Sequence, residues 1–141
     1  MTLHPLQASP ALVEAELAFL APLGFTMRER WVSGGESFKD GWRLSFSGPI
    51  GLTVQYLDQQ FEVNFERGGV MRSYREIDHG LFGTRSGFHG DMFPPNKLES
   101  AIKKIAADIR EHYGLVLSGD DDEWERLRRL RAEERKSGRL P

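Results

Sequence analysis

The sequence predicts a single α+β domain, in which one face of an antiparallel sheet of four to five strands packs against helices. Apolar residues recur at helical spacing near both ends of the 141-residue chain, whereas between them they alternate with polar residues. Alternation with one apolar and one polar face is typical of an antiparallel sheet that is covered on one side. A chain of this length can bury a core of its own, and we assign all of residues 1–141 to one domain.

The composition places the chain among globular proteins and excludes several classes. The formal net charge is −2, so a nucleic-acid partner would need a local basic patch. There is no cysteine, which excludes disulfides, thiolate metal sites and a cysteine nucleophile. The N-terminal apolar run lacks a basic region, and Glu14 and Glu16 interrupt it, so we expect neither a signal peptide nor a membrane span. These features predict a cytoplasmic protein.

A first helix is predicted near residues 10–21. Ser9 and Pro10 have the residue types of an N-cap and of a first helical position. Apolar residues then follow at helical spacing, at Val13, Leu17 and Leu20. A proline and a glycine after them are expected to end the helix.

The strands are predicted between residues 25 and 77. Phe25, Met27 and Trp31 begin the alternating pattern, although Glu29 breaks it. Pairing that keeps apolar residues on one side requires a loop at residues 47–49 and another at residues 57–60. The predicted core face then carries Trp42, Leu44, Leu52, Val54, Phe61, Val63, Phe65, Val70 and Tyr74.

The last strand is predicted at residues 70–77, after a two-residue turn at Gly68-Gly69. Its register sets Arg75 opposite Glu62 as a cross-strand charge pair on the polar face. The alternation is least regular here, as expected of an edge strand.

Two further helices are predicted after the sheet. Asn96 and Glu99 have the spacing of a capping box, and an apolar stripe then continues to residue 113, so the second helix is expected at 97–113. Gly114 is expected to end it. Acidic residues at 120–123 favour the start of a third, short helix near 120–135, and the tail from about 136 is expected to fray.

The segment at residues 78–96 shows neither a helical nor a strand period. Structureless connections longer than about 12–15 residues in compact domains are usually functional or disordered. This segment contains three phenylalanines, which are too many large apolar groups for a disordered linker. We therefore predict a recognition or covering loop. Its candidate binding residues are Phe82, Arg85, Phe88 and His89.

The same segment offers a chemical alternative. His79, His89 and Asp91 are ligand types for zinc, manganese or iron, and a metal site here would suit a small metal-dependent hydrolase or a small-ligand-binding protein. However, no spacing such as HExxH or HxH fixes their geometry. Histidines that cap turns or lie in solvent are the favoured interpretation, and no cofactor is expected.

The arginines within residues 126–131 form the chain's local basic cluster. The segment 120–141 holds seven acidic and seven basic residues, so a solvated helix with many ion pairs is favoured over a nucleic-acid surface. No catalytic motif is recognisable, and we predict no catalytic residue. A non-catalytic protein is therefore favoured over an enzyme.

The order of elements, from Pro22-Leu23-Gly24-Phe25 to the Gly119-Asp120-x-x-x-Trp124 element, resembles a loose group of small bacterial proteins of unknown function. These proteins have a leading helix, a strand-rich middle and a closing helix followed by that short element. Some of them are immunity proteins, which neutralise a cognate toxin by binding it. The resemblance implies a bacterial protein-binding module with a protein partner, and it assigns no catalytic residue.

Overall fold

The computed structural model describes residues 5–32, 41–57, 60–82 and 95–136. Within these ranges, helices precede and follow a five-stranded antiparallel sheet, which confirms the α+β class. The elements are α1 (Pro5–Glu16), a 3₁₀ helix (Ala18–Leu23), β1 (Thr26–Val32), β2 (Gly41–Ser47), β3 (Gly51–Leu57), β4 (Gln60–Arg67), β5 (Val70–Ser73), α2 (Tyr74–Phe82), α3 (Pro95–His112), α4 (Gly114–Leu117) and α5 (Asp121–Lys136).

The sheet is a meander in which each strand pairs with the next one along the chain. The β4–β5 turn is the predicted Gly68-Gly69 pair, and both residues have a positive φ, of 59° and 81°. This turn pairs Arg67 with Val70, as predicted. The order leaves β1 and β5 as the two edges of the sheet.

The register between β2 and β3 differs from the prediction by two residues. Phe46 lies opposite Leu52 rather than opposite Ile50. The loop is closed by a hydrogen bond from the Gly48 N–H to the Ile50 carbonyl, over 3.0 Å, and Ile50 is buried in the core. Because Ile50 is buried in the loop, the first residue pair of the hairpin is Ser47 with Gly51 instead of Phe46 with Ile50. Because the shift is an even number of residues, every side chain keeps its predicted face.

The edge strand β5 is shorter than predicted. It ends at Ser73, whose Oγ accepts a hydrogen bond from the Glu76 N–H over 3.2 Å and so caps the start of α2. The predicted strand pair of Glu62 and Arg75 is therefore wrong, because Arg75 lies in a helix. Glu62 instead accepts a hydrogen bond from Gln55 Nε2 over 2.8 Å.

The N-terminal helical region is longer than predicted and is divided in two. The helix α1 begins at Pro5, so Ser9-Pro10 is not its start, and Pro10 lies inside it without an N–H to donate. The chain then continues as the 3₁₀ helix. Pro22 cannot donate the backbone hydrogen bond that would extend an α-helix through this stretch.

The two long helices after the sheet confirm the predictions to within two residues at each end. Gly114 does not end the helical region as predicted, since it begins the short helix α4. Asp120 caps α5: its Oδ2 accepts a hydrogen bond from the Glu123 N–H over 2.9 Å.

The core lies between one face of the sheet and the helices. Its largest fully buried side chains are Trp42, Tyr56, Tyr113, Phe65, Leu20, Leu44, Leu52, Ile77, Leu98, Ile109, Val13 and Val116. The predicted core-face residues are all buried except Val70, which is 44% exposed beside the β4–β5 turn. In the part of the chain that the structure describes, no helix is long and apolar enough to cross a bilayer.

Candidate functional site

The face of the sheet opposite the core, which we name the open face, is lined by side chains that the described helices do not bury. Along β3, buried residues on the core face alternate strictly with half-buried residues on the open face. The register places on the open face Glu29, Trp31, Arg43, Ser45, Thr53, Gln55, Glu62, Asn64, Glu66, Met71 and Ser73. All of these side chains are exposed or half-buried.

A hydrogen-bonded row crosses the open face. Trp31, Arg43, Gln55 and Glu62 lie opposite one another on four successive strands. Arg43 Nε donates to Gln55 Oε1 over 3.0 Å, and Gln55 Nε2 donates in turn to Glu62 Oε2 over 2.8 Å. Arg43 Nη1 also lies 3.8 Å from Glu29 Oε1. These contacts hold the guanidinium of Arg43 in place beside its cross-strand neighbour Trp31.

Trp31 reaches the open face because β1 contains an irregularity. Met27 pairs with Phe46 and Glu29 pairs with Ser45, so the register shifts across the intervening residue. One extra residue in a strand reverses the alternation of the side chains that follow it. Trp31, which the sequence pattern grouped with Met27, therefore lies on the other face and is 42% exposed.

The opposite edge of the sheet also exposes large apolar side chains. Val70 and Met71 in β5 are 44% and 58% exposed, and Met71 lies on the open face opposite Glu66. Large apolar side chains are therefore exposed at both edges of the polar open face.

The predicted loop at residues 78–96 is partly helical. Residues 78–82 are the second half of α2, and Pro95 begins α3. His79 is half-buried on α2, and Phe82 is the last residue of that helix. The other four predicted site residues, Arg85, Phe88, His89 and Asp91, lie outside the described residues. Within the described ranges, no group of three potential ligands is placed to hold a metal ion.

Beneath α2 lies a buried group that we name the tyrosine cluster: Tyr74, Asp78, Asp108 and Tyr113. Tyr74 Oη donates to Asp108 Oδ2 over 2.6 Å, and Tyr113 Oη donates to Asp78 Oδ1 over 3.4 Å. The two rings stack with their centroids 5.8 Å apart. Burial, with the neighbouring Tyr74 and the two carboxylates, raises the pKa of Tyr113 well above its usual range. Tyr113 therefore keeps its hydroxyl as a neutral donor, and the two hydrogen bonds join α2 to α3 and to the residue that follows it. The sequence pattern contained no signal for this cluster.

The four arginines of α5 whose side chains the structure describes form ion pairs within the chain. The pairs are Arg126 with Glu123, Arg128 and Arg129 with Glu125, and Arg131 with Glu76. Arg126 Nη1 also donates to the carbonyl of Gly80 over 3.1 Å, which ties α5 to α2. These ion pairs support the prediction of a solvated helix with many ion pairs and weaken the alternative of a nucleic-acid surface.

Comparison with protein-family models, with curated proteins and with solved structures found no match. The resemblance to immunity-type proteins therefore stays a prediction. The functional interpretation depends on the geometry of the open face and of the tyrosine cluster.

Proposed function

We propose that this chain is a non-catalytic protein-binding module, which recognises a protein partner through the open face and the adjoining β5 edge. The observation that carries the proposal is the exposed indole of Trp31 beside the hydrogen-bonded guanidinium of Arg43, on a sheet face that the described helices leave uncovered. Tryptophan and arginine are enriched among the few residues that supply most of the binding energy of protein interfaces.

The hydrogen-bonded row also favours binding because it orders the side chains in advance. Arg43 and Gln55 are long side chains, and each one immobilised during association would cost about 0.5–1.5 kcal/mol. Their mutual hydrogen bond already restricts them in the free protein. A partner therefore meets a surface that needs little further ordering.

The buried acidic groups support a non-catalytic role. Among the described residues, the buried carboxylates are Asp78 and Asp108, and both belong to the tyrosine cluster. Each accepts a hydrogen bond from a tyrosine hydroxyl whose ring is itself buried. Their contacts are those of an internal brace between helices, whereas general acid–base catalysis requires a group within reach of a substrate.

A photo-crosslinking amino acid tests the proposal in native lysate. It would replace Thr53 at the centre of the open face, Met71 at the edge, or Lys103 on the exposed side of α3 as a control. We expect the same protein to be crosslinked from positions 53 and 71, and not from position 103. An absence of any adduct specific to the open face would contradict the proposal.

The Trp31→Ala substitution gives a quantitative test with the partner that crosslinking identifies. Removing a tryptophan hot spot costs at least about 2 kcal/mol, which is about a 30-fold loss of affinity. Leu115→Ala is the matched control, since Leu115 is another exposed apolar residue (56%) but lies on α4. Equal affinities of the two variants would remove Trp31 from the interface.

The resemblance implies an immunity-type form of this function, in which binding neutralises a toxin. The test is to express the neighbouring reading frame with and without this chain. If the frame is toxic, we expect the wild-type chain to restore growth and the Trp31→Ala variant to restore it less. Toxicity that the wild-type chain leaves unchanged would argue against an immunity role toward that frame.

A further inference from the structure

We infer that the partner presents a basic protein surface to the open face, an inference that rests on the proposed function. The charged residues that the register places on this face are Glu29, Glu62 and Glu66 against Arg43. Among the described strand residues that have a register partner, three carboxylates and one guanidinium lie on this face, a net charge of −2, while Arg28 lies in the irregularity of β1 and has no register partner. Complementary charge across an interface directs association and suppresses wrong partners.

The excess negative charge is concentrated on β4. Glu62 accepts a hydrogen bond from Gln55, and Glu66 accepts one from the Gly69 N–H over 3.2 Å, so both of these donors are neutral. Among the described residues, no arginine or lysine forms an ion pair with either glutamate, whereas the guanidinium of Arg43 is near Glu29. Both β4 carboxylates are exposed, so a cation of a partner can reach them.

The spacing of these carboxylates indicates what the partner must present. Glu62 and Glu66 are four residues apart on one strand, which places their backbones about 13 Å apart at about 3.3 Å per residue. That separation exceeds the Debye length of about 10 Å at 0.1 M salt, so each carboxylate attracts its own cation. A protein surface with two separated lysine or arginine side chains opposite β4, and an apolar contact for Trp31 three strands away on β1, has this chemistry.

The same charges argue against a nucleic acid on this face. Nucleic-acid binding depends on cationic side chains that neutralise backbone phosphates. The net charge of −2 would repel those phosphates. Among the described residues that the register places on the open face, Arg43 is the basic side chain beside Trp31, which is less than the basic groove of a single-strand binding site.

The inference can be tested with decalysine as the probe and decaglutamate as its charge-reversed counterpart. Each would be titrated into the ¹⁵N-labelled full chain at low salt, and amide shifts would be recorded. We expect decalysine to shift the amides of β3 and β4 and decaglutamate to leave them unchanged. Raising the salt to about 0.5 M should weaken decalysine binding about tenfold or more.

Charge reversal locates the binding. We expect the double variant Glu62→Lys/Glu66→Lys to bind decalysine at least about tenfold more weakly than the wild-type chain. Glu99→Lys/Glu111→Lys is the matched control, because it makes the same change of net charge at exposed positions of α3. The control variant should bind like the wild-type chain at the open face.

Three results would overturn the inference: shifts that concentrate on the acidic residues 120–123, equal binding of decaglutamate, or equal loss in both double variants. The crosslinking experiment separates these results from failure of the proposed function. If an adduct forms at position 53 but decalysine does not bind the open face, the inference of a basic partner is overturned and the proposed protein-binding function still stands. A missing adduct overturns the protein-binding function itself.

Discussion

The hydroxyl of Tyr74 and the carboxylate of Asp108 form a 2.6 Å hydrogen bond between the first turn of α2 and the final third of α3. Both residues are buried, and they are 34 positions apart in the sequence. The bond therefore fixes the end of the sheet edge β5, where α2 begins, to the helix that covers the core. The stability of this junction can be measured directly.

Tyr74→Phe should destabilise the fold by about 1.5–3 kcal/mol, the usual contribution of a hydrogen bond to a charged group. The substitution leaves the ring in place but removes the donor to Asp108 Oδ2. Lys104→Met is the control, because Lys104 contacts the same oxygen over 3.0 Å from a side chain that is 50% exposed, so its loss should cost less than about 1 kcal/mol. Urea denaturation of the three proteins gives the comparison, and equal losses would contradict the assignment.

Stability should fall as the pH rises above about 10, the ordinary pKa of tyrosine. Burial raises the pKa of both Tyr113 and Tyr56. Above pH 10 the unfolded chain releases protons that the folded chain keeps, so the stabilisation is complete below this pH and is lost above it, by about 1.4 kcal/mol per pH unit for each such group. Urea unfolding from about pH 8 to about pH 11 measures how steeply the free energy of unfolding falls with pH. Tyr113→Phe should reduce this slope by the contribution of about one proton.

Gly41→Ala should destabilise the sheet by about 1–3 kcal/mol or more, because a Cβ at this position would overlap the carbonyl oxygen of Tyr56. The obstacle is backbone in the paired strand, so it cannot move aside as a side chain would. Gly114→Ala is the control, since a Cβ there meets nothing within 4 Å and lies in a helix. It should leave stability unchanged or raise it by up to about 1 kcal/mol. Thermal unfolding that ranks the two substitutions in the opposite order would contradict the structure.

Trp124→Phe should destabilise the attachment of α5 by about 1–3 kcal/mol. The indole Nε1 donates to the carbonyl of Val116 over 3.1 Å in a buried environment, and phenylalanine would remove this bond and part of the buried ring, while the Gly119 N–H would still donate to the same carbonyl. Trp31→Phe is the matched control, and its effect should be within about 0.5 kcal/mol because Trp31 is exposed. Denaturation monitored by the far-ultraviolet circular dichroism signal would detect the difference.

The metal-site alternative and the protein-binding proposal differ in a simple measurement. Elemental analysis of the purified chain should find no stoichiometric zinc, manganese or iron if the chain is a binding module. The alternative expects about one ion per chain, held by His79, His89 and Asp91 in tetrahedral or similar geometry. In that case His89→Ala should remove the ion, whereas His112→Ala, at an exposed position on α3, should not.

Hydrophobic periodicity was sufficient to predict the faces of the central strands and the extent of α3 and α5. The exact pairing of β2 with β3 was not accessible in this way, because two registers that differ by two residues place the same side chains inside. Only the burial of Ile50 in the loop distinguishes the registers, and that depends on packing against the rest of the core.

Two local structural predictions were wrong, and the reasons differ. The predicted strand at residues 70–77 continued an apparent alternation through Tyr74, although Ser73 and Glu76 have the spacing of a capping box and were a readable signal for a helix. The position of Trp31 was not readable, because a single inserted residue in β1 reverses its face without altering composition. The candidate residues of the loop remain a prediction, and the open face emerged from the three-dimensional register.

The irregular, charged edge strand β1 also limits how the sheet can grow. All but one of its residues are exposed along an edge that no further described strand pairs with, and such an edge is a template for adding another strand. A second copy that continued both faces of the sheet would set Glu29 against Glu29, or Arg30 against Arg30, in its central pair. Like charges in direct opposition are unfavourable. The strand therefore disfavours pairing with its own duplicate in these registers, which opposes an edge-to-edge dimer through β1.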